Sequence, residues 1–144
     1  MIKIRPIRIY LAGACKNLED EGREWREKIT TKLQQVAEWC DKEIVVIDPT
    51  KYFSYSENKH KSQKQVKEFY INKISNCDLV IVNLDYTDMS VGTGQETQAA
   101  RMMHIPIIGF GTKNIYPWIK EVDCEVTFDS MHEAVDYVRD YYLV

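Results

Sequence analysis

The sequence predicts an α/β protein: a flavodoxin-like, three-layer α/β/α fold on a five-stranded, mainly parallel sheet in the order 2-1-3-4-5. Three observations predict it. Apolar, β-forming runs alternate with helically periodic stretches along the whole chain. The run Asp78 to Leu84 (DLVIVNL) is almost continuously apolar, as befits a central parallel strand covered on both faces. The length, 144 residues, suffices for one core without disulfides or a metal and leaves no room for a second, so residues 1–144 are read as a single domain.

Taken in order, Ile7 to Ala12 (IRIYLA) alternates, is rich in β-formers and ends at Gly13, which makes it the first strand. A short loop, Gly13 to Leu18, leads to the acidic run Glu19, Asp20 and Glu21. Trp25, Ile29, Leu33, Val36 and Cys40 then recur at helical spacing, and acidic residues in a first turn suit the helix dipole. Glu43 to Ile47 (EIVVI) is the second strand, stopped by Asp48-Pro49. Thr50 to Ser62 is polar, lysine-rich and aromatic without a period, and reads as a long loop of the kind that usually serves function or moves. Val66, Phe69 or Tyr70, and Ile74 mark the second helix, and Asp78 to Leu84 is the third strand. A loop over Asp85 to Thr93 precedes a helix from Gly94 to His104 and a strand from Ile105 to Phe110. A loop from Gly111 to Trp118, a strand from Glu121 to Phe128 and a helix from Ser130 to Tyr142 complete the chain. Right-handed crossovers set the first and third strands side by side at the switch point. The loops Gly13 to Leu18 and Asp85 to Thr93 should therefore line a ligand site beyond their carboxyl ends.

Composition narrows the function classes. With 19 Lys+Arg against 22 Asp+Glu, net −3, the chain lacks the cationic excess that a nucleic-acid polymer would require. No apolar run approaches the roughly 20 residues of a membrane span, and the N-terminus has no separate apolar leader, so a soluble cytoplasmic domain without a membrane partner is expected. Cys15, Cys40, Cys77 and Cys124 form no CxxC pair and no Cys/His cluster, which suggests reduced thiols and no metal site. His60, His104 and His132 show no partner pattern. Residues 42–73 carry a net +3 and interleave lysines with Tyr52, Phe53 and Tyr55, either to attract an anionic small molecule or as an ordinary solvated face.

The chemistry-bearing motif is Ser90 to Glu96 (SVGTGQE), where Gly92 and Gly94 permit close backbone approach and free N–H groups at a helix start can hold an anion or a sugar hydroxyl. It is not the dinucleotide fingerprint, whose third glycine is replaced by Thr97, and no Walker A loop is present. Glu96 has two readings. With Thr93 as N-cap it would be the N3 partner of a capping box, which spacing alone favours. Alternatively, it is a carboxylate kept ionised by the helix dipole, as a nucleophile must be.

IYLAG at Ile9 to Gly13, CDLVIVNL at Cys77 to Leu84, and SVGTGQE followed by Ala99-Ala100 together resemble the nucleoside 2-deoxyribosyltransferase family, which includes the 2'-deoxynucleoside 5'-phosphate N-hydrolases. The resemblance runs from the first strand to about Trp118. It implies cleavage of the N-glycosidic bond of a nucleoside or nucleoside monophosphate without metal or organic cofactor, in a homodimer or higher homo-oligomer with shared sites. By position, Glu96 matches the family nucleophile that attacks C1', and Tyr10 matches a tyrosine that holds it by a hydrogen bond. In the loops expected to line the site, Gly13, Gly92 and Gly94 let the backbone approach a ligand, Lys16 could add positive charge for a phosphate, and Asp48 at the end of the second strand is placed to meet the base. Tyr52 and Phe53 are placed to stack on the base. Asn114 and Tyr116 lie where the family reaches into a neighbour's site.

Two departures stand out. Where the family commonly has an aspartate that meets the base or sugar, this chain has Tyr70, whose phenol, with a pKa near 10, is no carboxylate base at neutral pH. Glu68, Asp48, Asp85 and Asp88 are the possible replacements. The second departure is Ser90, where the transferases often carry an aspartate and the 5'-phosphate hydrolases a serine. A hydroxyl accommodates a phosphate that a carboxylate would repel, so Ser90 suggests nucleoside monophosphates. The competing hypothesis is a non-catalytic module that binds or senses a nucleotide in the same pocket.

Overall fold

The computed structural model describes residues 5–15, 18–52 and 60–144. Five strands, β1 (Ile7–Gly13), β2 (Ile44–Ile47), β3 (Leu79–Asn83), β4 (Ile107–Phe110) and β5 (Val126–Phe128), form one parallel sheet in the order β2-β1-β3-β4-β5. The helices are α1 (Arg23–Trp39), α2 (Gln63–Ser75), α3 (Val91–Met102) and α4 (Met131–Tyr141). This is the predicted fold and strand order.

The alternation of β1 divides the core. Ile9 and Leu11 pack with Ile29 and Leu33 of α1 and Ala134 and Val138 of α4, whereas Tyr10 and Ala12 face the opposite side with Ile74 of α2 and Ala100 of α3. Both faces are fully buried, and each large aliphatic side chain removed from water contributes roughly 1.5–3 kcal/mol. In register, Tyr10 lies beside Val80 and Gly13 beside Asn83, so the ends of β1 and β3 reach the same edge of the sheet. Gly13 is required there, because a Cβ would stand 2.7 Å from the Trp25 ring.

Several boundaries differ from expectation. The acidic run forms a turn, and α1 begins only at Arg23; Asp20 accepts hydrogen bonds from the Gly22 and Glu24 amides at 2.9 Å each, so the acid acts from before the helix. The buried stripe of α1 is Arg26, Ile29, Leu33 and Ala37. The long polar stretch opens with a 3₁₀ turn, Pro49–Lys51, capped by Asp48; Phe53 and Tyr55 lie outside the described residues, as does Lys16. β5 is shorter than the predicted Glu121 to Phe128, since Ile119–Asp123 wind into a π turn that sets Ile119 in the core beside α3. No described helix is long and apolar enough to cross a membrane.

Candidate active site

Beyond the carboxyl end of β1, the first turns of α1 and α3 and the side of α2 enclose a cavity of about 320 Å³. Gly13, Arg26, Tyr70, Gly92, Gln95 and Glu96 are among the residues that line it. Its position is the predicted switch point between the first and third strands.

The start of α3 decides between the two readings of Glu96. Ser90 is the N-cap: its backbone is non-helical and its Oγ accepts from the Thr93 amide at 3.3 Å, while the two hydroxyls lie 2.6 Å apart. Thr93 is thus N3 instead of the cap. Glu96 falls in the second turn, three residues too far along to reach back to the cap, so the capping-box reading is excluded. Its carboxyl borders the cavity instead.

Burial pushes the Glu96 carboxyl up to about 7, against the opposing charge of Arg26 and, to a smaller degree, the Tyr10 hydroxyl. Tyr10 is fully buried on the α3 face of β1, and its hydroxyl has no partner at hydrogen-bond geometry. Its pKa is raised well above the usual value, first by burial and then by the charge of Glu96. Tyr10 and Glu96 are therefore neighbours, as expected, without a fully formed hydrogen bond between them. Such contacts tighten when a substrate is present.

Arg26, from the first turns of α1, is 1% exposed. Its guanidinium donates to the carbonyls of Leu11 at 3.4 Å, Gly13 at 3.0 Å and Gly22 at 2.9 Å, and its Nε lies 3.9 Å from Asp48 Oδ1. Asp48 is buried but does not line the cavity. Its Oδ1 accepts from the Thr50 amide at 2.9 Å and the Thr50 hydroxyl at 2.6 Å, so it shapes the wall formed by Pro49 and Thr50. Tyr70 lines the cavity with its hydroxyl donated to the Pro49 carbonyl at 3.1 Å.

Other candidates go elsewhere. Ser90, Gly94 and Tyr116 line a second groove of about 560 Å³ on the outer side of α3, with Arg101, Trp118 and Val122. Asn114 is exposed, and its carbonyl accepts from the Asp88 amide. Of the proposed replacements for the missing aspartate, Glu68 and Asp88 are exposed, and Asp85 holds the Thr112 and Lys113 amides at 2.8 and 2.9 Å. Among the described residues, Glu21 is the second carboxyl that lines the cavity. Tyr52 packs on Phe69, with Lys73 over its ring, instead of facing the cavity.

Sequence reasoning missed Arg26, Cys15 and Gln95, which line the cavity together with Lys67 of the cationic stretch. Arg26 left a signal: it lies in phase with Ile29, Leu33 and Ala37, the apolar stripe of α1. Cys15 was carried by its loop, its thiol pushed up by burial.

The chain matches the family profile described as nucleoside 2-deoxyribosyltransferase over residues 9–132. A search of curated proteins gives no match. Among solved structures, a conserved protein from Enterococcus faecalis V583 superposes with a TM-score of 0.72 at 12% identity, covering 94% of this chain and 99% of that one. The 2-deoxyribosyltransferase of Bacillus psychrosaccharolyticus gives 0.67 at 18% identity, covering 90% and 91%. The CMP N-glycosidase BcmB of Clostridium botulinum gives 0.53 at 19% identity, covering 93% and 99%. At these identities the superpositions show a shared fold, and the profile match across most of the length carries the assignment: the chain belongs to the nucleoside 2-deoxyribosyltransferase family.

Proposed function

We propose that this protein cleaves or transfers the N-glycosidic bond of a 2'-deoxynucleoside or its 5'-monophosphate, with Glu96 as nucleophile. The observation that carries the reading is a carboxyl in the second turn of α3 that takes no part in capping and borders a cavity beside Tyr10 and Arg26. In the first step a Glu96 oxygen bonds to C1' as the C1'–N bond breaks; the bonding pair leaves with the base, which takes up a proton from water. In the second, water or a second base bonds to C1' and releases its proton to solvent as the C1'–O ester bond breaks and the carboxylate is restored. Tyr10 orients the carboxyl. Gly92 lets the sugar approach the helix start, and a modest preference for monophosphates now rests on Lys67 at the cavity rim, since Ser90 lines the outer groove.

A second reading, a nucleotide-binding module without turnover, is favoured by one observation: Tyr70, at the usual acid position, commits its hydroxyl to the Pro49 carbonyl. Chromatography of each deoxynucleoside and monophosphate, incubated with and without a second free base, separates the cases. Free base from monophosphates supports hydrolysis, base exchange supports transfer, and binding without product supports the module. Glu96→Ala should abolish turnover in a folded protein; surviving activity refutes the nucleophile.

The shared-site oligomer belongs to the same proposal. Val91, Trp118 and Val122 are exposed around the second groove, which meets the cavity at Gln95, and a second copy docking there would complete the site. Sedimentation of Trp118→Ser should show dissociation; an unchanged profile refutes this face.

A further inference from the structure

We infer that Arg26 is a positioning residue for the reaction: its guanidinium, locked over the end of β1, is the fixed buried cation that shares the cavity with the Glu96 carboxyl. The inference rests on Glu96 being the nucleophile.

The lock is built into the backbone. Arg26 donates to three carbonyls, those of Leu11 and Gly13 at the carboxyl end of β1, the strand that carries Tyr10, and that of Gly22. Gly22, at φ +78°, leaves the space the guanidinium fills, for a Cβ there would lie 2.5 Å from Arg26 Nη1 and 2.6 Å from the Ala14 carbonyl oxygen. A glycine thus makes a cradle for one particular side chain.

The charge of that side chain is only partly matched. Arginine stays protonated under all relevant conditions, and a buried cation requires compensation. Asp48 is buried nearby, but at 3.9 Å it makes no hydrogen bond to Nε, and its Oδ1 is already taken twice by Thr50. Carbonyl dipoles supply partial charge only. Glu96, half-buried and lining the same cavity, is the second carboxyl within reach of the Arg26 charge, so the buried Asp48 and the half-buried Glu96 share one buried cation.

The groups facing Glu96 leave Arg26 little competition. From β1 comes Tyr10, from the following segment Cys15 and Glu21, and from α2 Lys67 and Tyr70, while Asp48 at the end of β2 stands behind the wall beside Arg26. Among the described residues Arg26 is the buried cation, and Lys67 is exposed and screened by solvent. The Arg26 charge also lowers the proton affinity of Tyr10 and Cys15, so its field covers the whole floor of the cavity. Removing that charge leaves the desolvation of Glu96 opposed only by Tyr10, so the carboxyl shifts further toward its neutral form.

The test is a carbon-13 NMR titration of Glu96 in the full-length protein, its signal assigned by loss in Glu96→Gln. The wild-type midpoint is expected near 7. Arg26→Gln keeps an amide for the carbonyls and loses the charge; its midpoint should rise by at least about one pH unit, lowering the ionised fraction at pH 7 about fivefold. Arg26→Lys keeps the charge and should titrate near wild type. The acid limb of the kcat/KM profile should move with the midpoint in Arg26→Gln and return in Arg26→Lys. A purely structural role would lower the rate at every pH without moving the limb. A folded Arg26→Gln with the wild-type midpoint overturns the inference. Should Arg26→Gln fail to fold, Arg26→Lys decides: a wild-type midpoint supports it, and a rise of a full unit overturns it. Turnover surviving in Glu96→Gln would refute the nucleophile instead, with the Arg26 effect on the midpoint intact.

Discussion

Replacing Glu96 by Gln should stabilise the protein in alkali and leave it little changed in acid. The carboxyl has an ordinary value of 4.5 and titrates near 7 in the folded chain, because burial penalises its charge. Between those values the folded state holds a proton that the unfolded chain has released. Stability from this group is therefore fully present below about 4.5 and lost as pH rises through about 7. At about 1.4 kcal/mol per pKa unit the full loss is about 3 kcal/mol, an upper figure because Glu96 is only half-buried. Gln at this position does not titrate. The variant's advantage over wild type should consequently widen by up to about 3 kcal/mol between pH 4.5 and 8. Urea unfolding followed by circular dichroism at both pH values, with equal slopes, measures it. A gap independent of pH would refute the reasoning, and a gap that narrows in alkali would mean that the fold stabilises the Glu96 charge. The same substitution should end turnover, so a site residue would be seen to cost stability where it serves chemistry.

Three further outcomes follow from single contacts. Tyr10→Phe removes a buried hydroxyl without a hydrogen-bond partner, so thermal stability should hold or rise by about 1 kcal/mol, while kcat falls and the acid limb of its pH profile moves upward. Gly92→Ala places a Cβ in open space, with nothing within 4 Å, and should stabilise α3 by about 0.5–1 kcal/mol; because Gly92 borders the cavity, KM should rise, and an unchanged KM would place the sugar elsewhere. Asp85→Ala loses two hydrogen bonds to the Thr112 and Lys113 amides and should cost about 2 kcal/mol in denaturant unfolding with kcat near wild type.

The fold was legible because parallel strands buried on both faces must be apolar runs, and DLVIVNL has no alternative use. The placement of Tyr10 opposite α3 follows from period-two alternation once the strand is known. The cap of α3 was misread because Ser90 and Thr93 are both good capping residues three apart, and only backbone conformation separates them. Arg26 was hidden by its chemistry. A charged side chain on an amphipathic helix is normally solvated, and its burial depends on carbonyls from β1 and the Gly22 turn that no local pattern encodes. The family resemblance sets Ser90 against a substrate phosphate beside Glu96. The helix turn instead sends it to the outer groove, while Gly92 and Glu96 border the cavity.

The two-sided packing of β1 makes the chemistry hostage to strand register. Tyr10 meets Glu96 because it is one residue out of phase with Ile9 and Leu11. Inserting or deleting a single residue between Ile7 and Tyr10 would turn the phenol toward α1 and α4 and present an aliphatic side chain to Glu96, although every strand could still pair. Length changes in this lineage should accordingly collect in the segment after β2 and spare β1, which admits substitutions of size but no change of count.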